Sequence, residues 1–151
     1  MNLYEIRLLS SEFYKDYNFS KYPEMEEKIN RPFLVMLVEI ENNKFAIPFR
    51  TNIKHNYCYK FANTNRSTTS SIALDFSKAV VINDDKYLGS YATIDRKEYL
   101  ELEKKIFIIN KFKRFIAKYK RIMNNPSMNT YEYELLNKYS TLIYFHKELG
   151  L

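Results

Sequence analysis

At 151 residues, with 46% hydrophobic and 28% charged positions, the chain is long enough for one domain with a sizeable core but not for several. A net charge of +6 favours an anionic partner and excludes the acidic, solvating class of chain. The single cysteine, Cys58, excludes an internal disulfide and fits a reducing compartment. Leu3-Tyr-Glu-Ile-Arg-Leu8 alternates as a strand does, and Ser10 or Ser11 is placed to cap a short helix over Glu12 to Tyr17. Residues Asn18 to Asn30 hold Pro23 and a charged cluster, and predict a long loop with at most one helical turn. The apolar run Phe33 to Ile40, the turn-forming Asn42-Asn43 and Lys44 to Phe49 predict a β-hairpin.

At the end of that hairpin, Arg50, Thr51, Asn52, Lys54 and His55 crowd together, and no acidic residue lies between Lys44 and Ile72. A rigid strand that ends in such a loop fixes the backbone while its side chains stay accessible. Cations, a hydroxyl and an imidazole suit a phosphodiester, and the stretch offers no carboxylate for a metal. A solvated loop with ordinary surface charge is the competing reading. His55 has the side chain suited to general acid or base work near neutrality. Arg50 and Arg31 carry planar forks that match phosphate oxygens. Lys54 is a compact cation for the developing charge, and Thr51 and Asn52 are hydrogen-bond donors to a non-bridging oxygen.

Asn56 to Phe61 alternates as a further strand, with Cys58 at a half-buried strand position, and residues Ala62 to Ser71 are small and polar. Ile72–Phe76 and Lys78–Ile82 read as two short strands around Asp75-Phe-Ser77, before a turn at Asn83-Asp-Asp85. Six or so short strands favour a strongly bent antiparallel sheet or a small barrel.

From Asp95, whose spacing to Glu98 suits a capping box, apolar residues recur helically through Tyr99, Leu102, Ile106, Ile109, Phe112, Ile116, Tyr119 and Met123. Asn124-Asn-Pro126 ends this helix, and a second one runs from Thr130 through Phe145 until Gly150 stops it. The fold class is therefore α+β, a single domain over 1–151 with a long basic helix in its C-terminal half. That helix carries Lys104, Lys105, Lys111, Lys113, Arg114, Lys118, Lys120 and Arg121 with no acidic residue from Lys104 to Tyr131. Unbalanced cations repel one another and suit a polyanion, with nucleic acid ahead of a membrane, because the apolar stripe is needed for the core. Fourteen Tyr and eleven Phe supply core material and stacking surfaces for unpaired bases. His146 reads as a surface or helix-end residue. No signal peptide and no run near the ~20 apolar residues of a membrane span are visible, which predicts a cytoplasmic protein.

Arg31-Pro-Phe33, the stretch Ala46-Ile-Pro-Phe-Arg-Thr-Asn-Ile-Lys-His55, Leu74-Asp-Phe-Ser-Lys-Ala-Val-Val-Ile82 and Lys138-Tyr-Ser-Thr-Leu-Ile-Tyr-Phe145 together resemble the toxins of type III toxin–antitoxin systems. The resemblance is to the TenpN-like branch of the ToxN/AbiQ family and runs from about Leu3 to Leu149. It implies a metal-independent, sequence-preferring endoribonuclease that needs no cofactor and leaves cyclic-phosphate and 5′-hydroxyl ends. It implies as partner a repetitive pseudoknot RNA antitoxin, which bridges several toxin subunits into one assembly and blocks cleavage of cellular or phage RNA. Such systems serve in defence against phages. Thr51 and Lys54 match the family's Thr-Ser-x-Lys motif in type, and Asn52 stands where the motif has serine. Arg31 falls where relatives place a lysine near the scissile phosphate, and Phe13 or Tyr14 falls near their N-terminal tyrosine. RNA contacts would then come from Tyr14, Arg31, Arg50 and the helix cations Lys111, Lys113, Arg114, Lys118, Lys120 and Arg121. A non-catalytic RNA-binding module using the same groove is the alternative, and a protein-interaction domain whose basic helix binds an acidic partner is a third reading.

Overall fold

The computed structural model describes residues 5–25, 34–62 and 72–151. The start of the expected first strand, most of the charged cluster after Pro23, Arg31 and most of the polar stretch after Phe61 lie outside the described residues.

Chain order runs β1 (Glu5–Leu9), α1 (Ser11–Asp16), β2 (Leu34–Ile40), β3 (Asn43–Thr51), β4 (Cys58–Lys60), β5 (Ile72–Asp75), β6 (Val80–Val81) and β7 (Leu88–Tyr91). Then come α2 (Arg96–Glu101), α3 (Lys105–Asn124) and α4 (Thr130–Tyr139), with short 3-10 turns between elements. The strands form one antiparallel sheet in the order β4-β5-β3-β2-β1-β7, with β6 also on β3. The sheet does not close: β4 and β7 are its edges, so of the two expected forms the open sheet is found rather than a barrel.

The hairpin forms where expected, but its loop is Glu41-Asn42, and Asn43 already pairs with Ile40. Both loop residues have positive φ (51° and 68°), the type I′ geometry whose twist matches that of the flanking strands. Val35 to Val38 and Phe45 to Phe49 are buried throughout, which explains why they read as unbroken apolar runs: the sheet is covered on both faces. Phe45 meets Phe112 of α3 edge-on with ring centres 5.1 Å apart, and Phe76 lies 5.1 Å from Phe112. On the other face Phe13 of α1 stacks on Tyr17 at 5.0 Å, and Tyr17 reaches Phe145 at 5.5 Å. Full burial of each such ring contributes roughly 1.5–3 kcal/mol.

Two helical expectations are corrected. The run from Asp95 is not one uniform helix: α2 passes through a 3-10 segment, Leu102–Lys104, into α3. That change of pitch rotates the buried stripe, so Tyr99 and Ile106 are exposed while Ile108, Phe115 and Ile122 are buried. The last helix stops at Tyr139, because the Ser140 side chain accepts from the Leu142 N–H and caps a separate 3-10 turn, Thr141–Phe145. Asn83-Asp-Asp85 leads into a 3-10 turn capped by Asp84 and then into β7, which the alternation did not announce. Gly89 in β7 is needed for close approach: a Cβ there would stand 2.8 Å from the Leu8 carbonyl oxygen.

Candidate functional site

β3 is the element that builds the site. Alternation sends Phe45, Ile47 and Phe49 toward α3, and Ala46, Pro48 and Arg50 toward α1. Its first half pairs with β6 and its second half with β5, so β5 and β6 act as one strand interrupted by the 3-10 turn Phe76–Lys78. The interruption lies alongside Pro48, which has no N–H to offer a ladder. It throws Ser77 and Lys78 out of the strand and toward Arg50 and its surroundings. The turn is held from the C-terminal segment: Ser140 Oγ donates to the Ser77 carbonyl at 2.7 Å, and Thr141 Oγ1 to the Ala79 carbonyl at 2.6 Å.

Asp75 sits at the centre with 0% exposure. Its Oδ2 accepts from Arg50 Nη1 at 2.9 Å, and its Oδ1 accepts from Ser77 Oγ at 2.6 Å and the Ser77 N–H at 3.0 Å. His55 Nε2 stands 3.4 Å from both Asp75 Oδ1 and Ser77 Oγ. Burial alone would raise the Asp75 carboxyl, but hydrogen bonds from His55 and Ser77, with the Arg50 charge, outweigh it and hold the carboxyl below its ordinary value. The stretch that lacks an acidic residue in sequence thus receives one from across the sheet.

His55 is engaged at both ring nitrogens. Its Nδ1 accepts from the Tyr57 N–H at 3.0 Å, which assigns the neutral ring its hydrogen at Nε2, facing Asp75 and Ser77. To exchange a proton with a substrate, the ring must first give up one of these contacts. Ser77, His55 and Asp75 also do not form a nucleophilic triad, because Ser77 donates its proton to Asp75 rather than to the imidazole. Cys58 is buried in β4, where burial pushes its thiol up.

The other expected loop residues stand outside this network. β3 ends at Thr51, and Asn52 takes the left-handed conformation (φ 58°) that Asn tolerates better than most residues. The chain reverses there, leaving Thr51, Asn52 and Lys54 exposed. Tyr14 and Arg50, expected together as RNA contacts, line one cavity on the α1 face; Thr51, Asn52, Lys54 and His55 do not line it. Lys78 also lines it, with its ammonium donating to the Glu24 and Tyr139 carbonyls at 3.0 and 2.8 Å.

Asp75 and Ser77, read from the sequence only as the link between two short strands, and Lys78, read as the start of the second strand but found in the 3-10 turn, are the site residues that the sequence did not single out. The signal was present: a carboxylate inside the apolar run Ile72-Ala-Leu-Asp-Phe76 has to find a partner if the run is buried.

Six of the seven α3 cations form three pairs seven residues apart, two turns along the helix: Lys111 with Lys118, Lys113 with Lys120, Arg114 with Arg121. They spread around the exposed arc rather than along one stripe. The first pair leans on β4 and its approach, with Lys111 5.9 Å from the centre of the Tyr59 ring and Lys118 5.7 Å from that of Tyr57. Burial, with Glu132 nearby, pushes the Tyr57 hydroxyl up to about 12. The helix is also less unbalanced than its own sequence suggests, because other elements supply acids: Glu132 meets Lys118 at 3.0 Å and Glu41 meets Lys120 at 3.2 Å. Lys113, Arg114 and Arg121 are exposed. His146 is half-buried rather than a plain surface residue, with Tyr119 Oη 2.7 Å from its Nε2, and burial lowers its pKa.

Among the described residues no three His, Cys, Asp or Glu side chains gather in a group that could hold a metal ion. No described helix is long and apolar enough to cross a membrane. No protein-family model, no curated protein and no solved structure matches this chain.

Proposed function

We propose that this chain is an endoribonuclease that needs no metal, acts in the cytoplasm as the toxin of a type III toxin–antitoxin system, and is held inactive by a repetitive pseudoknot RNA that bridges several subunits. One observation carries the reading. Thr51, Asn52 and Lys54 stand exposed at the end of a buried strand, directly after an arginine held at 2.9 Å by a fully buried carboxylate. A rigid cation followed by a compact cation and two neutral donors is suited to a phosphodiester that gains charge as it reacts. In the reaction the 2′-oxygen bonds to phosphorus and loses its proton, the bond to the 5′-oxygen breaks, and that oxygen takes up a proton. Lys54 and Arg50 stabilise the crowded phosphorane, and Thr51 and Asn52 donate to its non-bridging oxygens. The cations of α3 and the Tyr57 and Tyr59 rings beside them hold the rest of the strand or the antitoxin.

A non-catalytic RNA-binding module is the second reading, favoured by the two occupied nitrogens of His55, which leave no imidazole free for proton transfer. Purified protein incubated with single-stranded RNA in millimolar EDTA separates the two. The enzyme reading expects discrete fragments ending in 2′,3′-cyclic phosphates and 5′-hydroxyls. Retained RNA without fragments would establish the module instead.

A further inference from the structure

We propose that the first turn of α3 is a platform for one unpaired base of an RNA strand, with Phe107 and Ile106 under the base and Arg114 and Arg121 on the phosphates that follow. The inference rests on the RNA-directed reading above and adds a base contact outside the Thr51–Lys54 loop. Phe107 and Ile106 are 70% and 65% exposed, and they are the exposed large hydrophobics of α3. Ile108, Phe112, Phe115, Ile116, Tyr119 and Ile122 are buried in the core, so core packing does not account for the other two. A phenyl ring left in water gains free energy when a flat apolar surface covers it, and every base has a π-face to offer.

Charge on the same arc narrows the ligand. Phe107, Arg114 and Arg121 follow one another at seven-residue intervals, so they stand in one line on the helix, about 10.5 Å apart along its axis. Lys113 stands beside that line, two turns from Ile106. No acidic side chain of the described residues pairs with Lys113, Arg114 or Arg121, in contrast to Lys118 and Lys120. An aromatic ring at the head of a row of cations matches a strand that carries flat bases and regularly spaced phosphates. Asn110, exposed one turn beyond Phe107, offers a donor and an acceptor to the edge of that base. A membrane surface or an amphipathic partner helix needs apolar contacts on successive turns. Beyond Phe107 the arc exposes Asn110, Lys113, Arg114, Ala117 and Arg121 instead. A duplex keeps its bases stacked on one another along its length and leaves Phe107 unused.

The chain has no tryptophan, so Phe107→Trp places a single indole at the platform. This variant is titrated with 2′-O-methyl hexaadenylate, which lacks the hydroxyl that cleavage needs, with an abasic hexamer of the same backbone, and with phosphatidylserine vesicles. The platform predicts saturable quenching by the hexaadenylate and none by the abasic hexamer. In filter binding, Phe107→Ala should weaken hexaadenylate binding about tenfold relative to wild type and leave the abasic affinity as it was. Arg114→Gln with Arg121→Gln should weaken both oligomers alike and lower the salt slope by about 0.7 for each lost contact. Absent quenching, equal quenching by the two oligomers, or an equal loss of both with Phe107→Ala overturns the base contact. A blue-shifted indole on vesicles without quenching by the hexamer overturns the RNA assignment in favour of a membrane surface. Cleavage of unmodified RNA without quenching refutes the platform and leaves the nuclease reading intact. Quenching without such cleavage refutes the nuclease reading and leaves the platform.

Discussion

Asp75→Asn tests the centre of the proposed site. The substitution keeps the shape and one accepting oxygen, but removes the charge and turns one oxygen into a donor. If the amide oxygen stays on Ser77, the new NH₂ faces Arg50 Nη1, now donor against donor where a 2.9 Å ion pair stood. A hydrogen bond to a charged group contributes about 1.5–3 kcal/mol, and removing one partner of a buried ion pair costs about 3–5 kcal/mol. Arg50 retains 27% side-chain exposure, so water recovers part of that loss, and the expected destabilisation is about 2–4 kcal/mol. Urea unfolding followed by circular dichroism should show the midpoint lowered by about 1–2 M with an unchanged slope, at an m-value of ~2 kcal/mol/M. Adding Arg50→Met should return part of the loss, because the stranded cation is then gone. The carboxyl also predicts a pH signature. Its folded pKa is lowered, so its stabilisation is present above the unfolded value of ~3.9 and is lost as pH falls through the lower folded value. Wild type should therefore lose stability below about pH 4 more steeply than Asp75→Asn. A variant within 0.5 kcal/mol of wild type, with additive Arg50 and Asp75 effects, would refute the clamp.

Lys54→Ala should abolish growth arrest and slow RNA cleavage by roughly a hundred- to ten-thousand-fold while leaving the unfolding curve unchanged, and His55→Ala should slow cleavage less but lower stability; near wild-type cleavage by Lys54→Ala would sink the loop assignment. Removing Lys113, Arg114 and Arg121 together should flatten the salt dependence of RNA binding by about 0.7 per lost phosphate contact. Lys118→Ala and Lys120→Ala, whose cations already meet Glu132 and Glu41, should change it less in a filter-binding titration. Gly89→Ala sets a Cβ 2.8 Å from the Leu8 carbonyl oxygen, and should lower the melting temperature by several degrees for about 1–3 kcal/mol of strain. Burial lowers the His146 pKa, so its neutral form is the folded one: stability should decline as pH falls below the unfolded value of ~6.5, and His146→Gln should remove that decline.

What sequence could settle about this chain was local. Apolar runs at Val35–Val38 and Phe45–Phe49 specify buried strands, Ser10 and Asp95 cap helices at the positions their spacing indicates, and the order of strands before helices gives the α+β class. The crowded loop after Pro48 was legible too, because exposed polar residues after a buried strand do not depend on distant partners. The helix stripe was legible only in part: a 3-10 segment at Leu102–Lys104 needs no special residue, yet it shifts which side chains face the sheet. The strand at Leu88–Tyr91 escaped because an edge strand holding glycine and serine carries little alternation.

Only the tertiary structure decided what surrounds the loop. Asp75 lies 25 residues from Arg50 in the chain, and antiparallel pairing of β3 with β5 brings the two together. The charge on α3 was likewise a property of the assembled molecule, since Glu41 and Glu132 reach its lysines from a hairpin turn and from another helix. Propensity and hydrophobic period act over a few residues, so they fix elements. Ion pairs, buried carboxylates and cavities are set by which elements share a face, and that follows from closing the core.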